Sequence, residues 1–97
     1  KENIVQNAAE QGAYIVEQLR NQLADQNVIV RGFGLMIGVE LPKACGDLVN
    51  IARDEYHTII NVTAGSVVRL LPTLNITKDQ ADQLIERLVK MIKAYLA

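Results

Sequence analysis

One stretch, residues 59–76, constrains the fold more than any other part of the chain. Its sequence, IINVTAGSVVRLLPTLNI, has a run of β-forming residues on each side of a Gly-containing turn. This pattern predicts a β-hairpin with strands over 58–62 and 67–71, joined by the turn Thr63–Ser66. Pro72 lacks a backbone donor and therefore ends the second strand.

The second predicted strand carries a single charge, Arg69, between Val68 and Leu70. An arginine side chain stays protonated in proteins, and burying it without a partner is costly. Two alternatives follow. Either Arg69 lies on an edge strand, where water or Glu40 satisfies it, or it faces an anionic ligand. In the second case the planar guanidinium, held on a strand that ends before Pro72, suits bidentate binding of a carboxylate.

The other elements are predicted from apolar periodicity, turn residues and helix caps. The predicted order is α-β-β-α-β-β-α, with helices over 2–26, 44–56 and 78–96 and two further strands over Val28–Arg31 and Leu35–Leu41. The last helix begins after a capping box formed by Thr77 and Gln80. Strands joined by only a few residues pair in antiparallel fashion.

This order predicts an α+β fold, with a small antiparallel or mixed four-stranded sheet and helices mainly on one face. Side chains alternate between the two faces along a strand, so Met36 and Glu40 share one face of the second strand. That face, which also carries Arg69, is expected to be uncovered and to be where a partner docks.

Glycines interrupt the first two strands. The segment Gly32–Gly34 precedes a strand and not a helix, so a tight turn with close backbone packing is favoured over a phosphate-binding loop. Gly38 lies in the middle of a predicted strand, which indicates either a β-bulge or a tightly packed backbone.

Composition indicates one small globular domain with an aliphatic core. The chain has 97 residues, of which 49% are apolar and only 4% aromatic. Ten basic and eleven acidic residues nearly balance and form no block of like charge, which argues against nucleic acid or a membrane surface as a partner. No apolar run approaches the ~18–20 residues that span a bilayer. The cytoplasm is the expected compartment.

Few residues offer chemistry of their own. Cys45 and His57 are the sole cysteine and histidine, too few for a disulfide framework or a structural zinc site. We expect His57 at the surface and Cys45 to be an ordinary small side chain. A lysine that forms a Schiff base needs a desolvated amine, and polar surroundings are predicted for Lys43, Lys78, Lys90 and Lys93. Neither a covalent active site nor a metal-binding site is therefore predicted among these residues.

Two linked segments resemble one protein family. VRGFGLMIGVEL at 30–41 and INVTAGSVVRLLPTLNIT at 60–77 are similar to the C-terminal small domain of class III aminotransferases, which are PLP-dependent enzymes of fold type I. The resemblance covers essentially the whole chain, and within the family it is closest to acetylornithine aminotransferases. The segments Tyr56–Thr58 and 72–74 depart from the usual motifs. Ornithine and 4-aminobutyrate aminotransferases, which share part of the pattern, therefore stay open.

The resemblance implies a role for this chain within a larger enzyme. Arg69, as the arginine of the VVRLLP motif, would bind the substrate α-carboxylate. The parent enzyme would transfer the amino group of N-acetylornithine to 2-oxoglutarate through PLP, as a cytoplasmic homodimer of arginine biosynthesis. The Schiff-base lysine and the other PLP contacts would lie in a large domain of the same chain. Residues 1–97 alone, a single C-terminal domain, would then be inactive.

The chain begins KENIVQNAAEQG without an initiator Met, and we expect it to be a fragment of a longer protein. A hypothesis of a different class is a stand-alone α+β module without catalysis, which dimerises or binds a protein through its uncovered sheet face. The sequence does not distinguish acetylornithine from succinyl-diaminopimelate or ornithine as the substrate.

Overall fold

The computed structural model of the chain describes residues 2–33, 36–73 and 75–97. The elements follow the predicted order α-β-β-α-β-β-α. They are α1 (Glu2–Gln22), β1 (Ile29–Phe33), β2 (Met36–Glu40), α2 (Leu48–Tyr56), β3 (Asn61–Thr63), β4 (Val67–Leu70) and α3 (Lys78–Leu96).

The four strands form one antiparallel sheet in the order β1-β2-β4-β3. Each hairpin, β1–β2 and β3–β4, is local in sequence, and the pairing of β2 with β4 joins the two. This arrangement confirms the antiparallel form of the predicted sheet. It also puts β2 and β4 at the centre. Arg69 therefore lies on a central strand, and the expectation of an edge-strand arginine is wrong.

The core lies between one face of the sheet and the helices. Alternate strand residues face this side and are buried: Val30, Ile37, Val39, Val68 and Leu70. The apolar stripes of the helices meet them, with α1 packing on β1 and α3, and α2 packing on α3. The α+β layer structure with helices on one face is therefore confirmed, and the opposite sheet face is uncovered.

Helix α3 begins and ends where the sequence predicts. The Thr77 hydroxyl accepts a hydrogen bond from the Gln80 backbone N–H, and the Gln80 side chain accepts one from the Thr77 N–H, at 3.1 and 3.0 Å. This reciprocal pair satisfies two donors that a helix start leaves free. Ile76, just before the cap, is buried together with Ala81, as a hydrophobic staple requires.

The other two helices are shorter than predicted. Helix α1 ends at Gln22, four residues early, because the chain turns there and Asn27 adopts a left-handed backbone with φ of 58°. Helix α2 begins at Leu48 and not at residue 44. The Cys45 N–H instead donates to the carbonyl of Gly65, at 2.8 Å, which ties this segment to the β3–β4 turn.

Two strands are displaced from their predicted bounds. β1 extends through Gly32, which is therefore a strand residue and not part of a turn; Gly34 and Leu35 lie outside the described residues. β3 covers only Asn61–Thr63, because the Thr58 N–H bonds back to α2 at 2.9 Å before the strand begins. The β3–β4 turn itself forms as predicted, with a left-handed Gly65 at φ of 77°.

The two strand glycines behave differently. A Cβ at Gly32 would lie 2.4 Å from Val16 Cγ2 on α1, so the predicted close packing at this position is confirmed. At Gly38 the strand pairing continues without interruption on both sides, and a Cβ would meet only Val67 Cγ1, at an ordinary 3.6 Å. The predictions of a bulge or a tightly packed backbone at Gly38 are therefore wrong.

Candidate functional site

Arg69 lies in the middle of the uncovered sheet face. One row of register partners crosses all four strands there: Arg31 on β1, Gly38 on β2, Arg69 on β4 and Asn61 on β3. Because adjacent strands are about 4.8 Å apart, the Cα atoms of Arg31 and Arg69 are separated by about 10 Å, with a glycine between them.

The backbone under Arg69 is held firmly. β4 pairs on both sides, and its neighbouring residues Val68 and Leu70 are buried in the core on the opposite face. The side chain itself is exposed. Within the part of the chain that the structure describes, no hydrogen bond or ion pair involves it. Its five N–H donors are therefore available to a ligand from outside these residues.

Glu40 does not pair with Arg69, contrary to one of the alternatives drawn from the sequence. Its Oε1 lies 3.0 Å from Nη1 of Arg31, and the two form an exposed ion pair. The three charges therefore sum to one uncompensated positive charge, on Arg69. An anion, and a planar carboxylate in particular, is the ligand that this arrangement favours.

Gly38 opens a shallow depression beside Arg69. The depression has a volume of about 300 Å³, and its lining includes Arg31, Met36, Gly38, Val67 and Arg69. A glycine in a regular strand lowers stability relative to residues with side chains, and nothing in the packing around Gly38 requires it. The missing side chain leaves room on the ligand side of the sheet.

The same face carries large exposed apolar side chains. They are Ile29 (51% exposed) and Met36 (50%), which share the alternation of Arg31 and Gly38 on β1 and β2. Large exposed apolar residues beside a free charge on one face are typical of a surface that another part of a protein covers.

The residues with possible nucleophilic chemistry lie elsewhere. Cys45 is buried, and its burial raises the pKa of the thiol, which disfavours the reactive thiolate. His57 is exposed and ends α2 in a left-handed conformation. Both positions agree with what the sequence predicts for these residues.

The described lysines do not fit a Schiff-base site. Lys43, Lys78, Lys90 and Lys93 are all exposed. At Lys78 the hydrogen bond with Tyr14 and the charge of Asp82 raise the pKa of the amine. A Schiff-base lysine needs the opposite shift. The described residues also contain no cluster of three or more His, Cys, Asp or Glu that would suit a metal ion.

A second depression lies between α1 and the outer edge of β1. Small side chains line much of it, and Arg20 stands at its rim. This arginine donates from Nε and Nη2 to the carbonyl of Val30, at 3.1 and 2.8 Å. Arg20 thus covers part of the free edge of the sheet, and two of its donors bind the backbone. No helix among the described residues is long and apolar enough to cross a membrane.

The sequence did not predict that Arg31 and Asn61 lie in one row with Arg69 across the sheet. Alternation alone puts Arg31, Glu40 and Asn61 on faces of their own strands, and it does not show which strands are neighbours. A signal was available for one pair. Arg31 and Glu40 lie at similar offsets from the end of a predicted hairpin, which places them near each other across β1 and β2.

Comparison with known proteins identifies the family of this chain. The aminotransferase class-III family model matches residues 1–92. Acetylornithine aminotransferase of Methanosarcina mazei is 43% identical over 86 residues, which are 89% of this chain and 22% of that protein. Acetylornithine aminotransferase 1 of Bordetella parapertussis is 44% identical over 99 residues, which are 100% of this chain and 25% of that protein.

A solved structure has the same fold. Ornithine delta-aminotransferase of Plasmodium falciparum superimposes with a TM-score of 0.87 and 33% identity, over 97% of this chain and 26% of that one. The chain thus spans about a quarter of the length of the relatives that it matches.

Proposed function

This chain belongs to the class III aminotransferase family, and we propose that it is the C-terminal small domain of a PLP-dependent acetylornithine aminotransferase. In this proposal Arg69 binds the α-carboxylate of the substrate. One observation carries it: Arg69 is an exposed guanidinium without a partner among the described residues, on a central strand of an uncovered sheet face.

The proposed reaction needs such a group for 2-oxoglutarate. The terminal amino group of N-acetylornithine is transferred to 2-oxoglutarate, whose reacting carbon is bonded directly to its α-carboxylate. When bound, PLP supplies the electron sink for the chemistry at the carbon that carries the transferred amino group, and the protein orients the substrate. Arg69 would contribute orientation, since a bidentate guanidinium on a rigid strand fixes both the position and the plane of a carboxylate.

The remaining walls of the site would come from a large domain of the same chain. The apolar residues around Arg69 support this, because a covering domain would remove them from water. The exposure of Lys43, Lys78, Lys90 and Lys93 supports a Schiff-base lysine outside this chain, and these residues alone would then be inactive. We further propose a cytoplasmic homodimer that acts in arginine biosynthesis.

Steady-state kinetics of the full-length enzyme test the proposal. Arg69→Ala should raise KM for 2-oxoglutarate, since the α-carboxylate next to its reacting carbon would bind this guanidinium. A desolvated charge-assisted pair contributes about 2–5 kcal/mol, which corresponds to a loss of about 30-fold or more in kcat/KM. Arg87→Ala is the matched control, because Arg87 is also exposed but lies on α3 in the helical layer. Unchanged kinetics in Arg69→Ala would refute the proposed role of Arg69, and a full-length protein with no aminotransferase activity would favour the non-catalytic interaction module.

A further inference from the structure

We propose that Arg31 is a positioning residue that holds Glu40 and thereby keeps Arg69 free for its ligand. This inference rests on the proposed function, because it concerns what keeps the carboxylate site of Arg69 open. It assigns a role to two residues, Arg31 and Glu40, that would not themselves touch the substrate.

The register gives Glu40 two possible partners. Gly38 pairs with Arg31 on one side and with Arg69 on the other, and Glu40 lies two residues further along β2 on the same face. Glu40 is therefore a diagonal neighbour of both arginines. Diagonal neighbours in an antiparallel sheet are about 7–8 Å apart, within reach of long side chains. Gly38 has no side chain to screen either path.

The structure shows which partner Glu40 takes. Its Oε1 contacts Nη1 of Arg31 at 3.0 Å, while Arg69 has no partner among the residues described. The side chains of Arg31 and Glu40 are 62% and 40% exposed, so packing does not fix Glu40 in this position. If the guanidinium of Arg31 were removed, the nearest cation left to Glu40 on this face would be Arg69.

A Glu40–Arg69 pair would compete with the ligand. The substrate carboxylate would have to displace the Glu40 carboxylate, and one unit of positive charge would be lost from the face. Exposed ion pairs change an equilibrium constant by only a few-fold, so the competition should raise KM by about 2- to 5-fold. The effect on kcat should be small, because the substrate carboxylate binds Arg69 equally in the ground state and in the transition state.

The test uses the full-length enzyme and its steady-state kinetics. Arg31→Gln should raise KM for 2-oxoglutarate by about 2- to 5-fold, and the double variant Arg31→Gln/Glu40→Gln should return KM to the wild-type value. Arg31→Lys, which keeps the charge, should stay near wild type. Arg53→Gln is the control, since Arg53 also forms an exposed ion pair, with Asp54, but does so on α2.

A crystal structure of the Arg31→Gln enzyme provides a readout besides activity, since the Glu40 carboxylate should then contact Arg69. The inference is overturned if KM does not rise in Arg31→Gln, or if the double variant keeps the raised KM. The second result would mean that Arg31 binds the ligand itself or supports the fold. Failure of the proposed function is distinguishable, because it appears as unchanged KM in Arg69→Ala whatever the Arg31 variants do.

Discussion

The close approach of Gly32 to Val16 supports a quantitative prediction about packing. A Cβ at Gly32 would lie 2.4 Å from Val16 Cγ2 and 3.6 Å from Val16 Cβ. The first distance is far inside van der Waals contact, so something must move. Val16 is buried, and a β-branched side chain in a helix has essentially one χ1 rotamer, so it cannot turn away. Gly32→Ala must therefore push α1 away from β1.

The magnitude follows from two opposing effects. Overpacking a core typically costs about 1–3 kcal/mol, whereas replacing Gly by Ala stabilises by about 0.4–1 kcal/mol through the unfolded chain. We expect Gly32→Ala to lower the free energy of unfolding by about 1–2 kcal/mol. In a domain of this size that loss lowers Tm by about 4–16 °C. Urea and thermal denaturation followed by circular dichroism measure both quantities.

Gly38→Ala is the matched control on the adjacent strand. Its added Cβ would meet only Val67 Cγ1, at 3.6 Å, so stability should be unchanged or should rise by up to about 1 kcal/mol. The double variant Val16→Ala/Gly32→Ala should be more stable than the sum of the two single effects predicts. Val16→Ala removes the Cγ2 that the new Cβ would overlap, and the new Cβ fills part of the space that Val16→Ala leaves. Equal losses in Gly32→Ala and Gly38→Ala, or strict additivity in the double variant, would refute the reasoning.

Three further predictions concern the cap, the acid response and the thiol. Thr77→Ala removes the capping box of α3 and should cost about 1 kcal/mol in urea denaturation, whereas Thr73→Ala, with no capping role, should not. A hydrogen bond from Tyr14 holds the pKa of Asp82 below its ordinary value of 3.8. The stability that this hydrogen bond contributes is present above the ordinary pKa and is lost as the pH falls through the folded pKa of Asp82. Tyr14→Phe should therefore lower Tm at about pH 7 and much less at about pH 2. Burial raises the pKa of the Cys45 thiol, so iodoacetamide, followed by mass spectrometry, should label it slowly in the folded protein and rapidly in urea; equal rates would contradict its burial.

Local features of the sequence predicted most of the fold. The element order, the antiparallel hairpins and the cap at Thr77 each depend on residues that are close together in the chain, and each is present in the structure. The family resemblance is confirmed by the match over residues 1–92.

The errors arose where distant segments meet. Helix α2 starts late because the Cys45 N–H bonds to Gly65, twenty residues away, and such a hydrogen bond leaves no local pattern. Gly38 looked like a bulge because a strand glycine usually marks one; its packing and pairing show otherwise.

The candidate site was predicted only in part. Alternation identified Arg69 as a charge that is either solvated or binds an anion. To choose between these alternatives, the ion-pair partner of Glu40 had to be known. That choice required the pairing of β2 with β4 and the ion pair to Arg31, both of which are tertiary. The role of Arg69 in binding a carboxylate remains a proposal.

The most direct test of that role compares two substrates that differ only in the α-carboxylate. The full-length enzyme and its Arg69→Ala variant are assayed with 2-oxoglutarate and with the corresponding aldehyde that lacks the α-carboxylate. We expect the substitution to lower kcat/KM for the oxo acid by about 30-fold or more and to leave the value for the aldehyde nearly unchanged. Equal losses for both substrates, or no loss for either, would contradict the assignment of Arg69 as the group that binds the carboxylate.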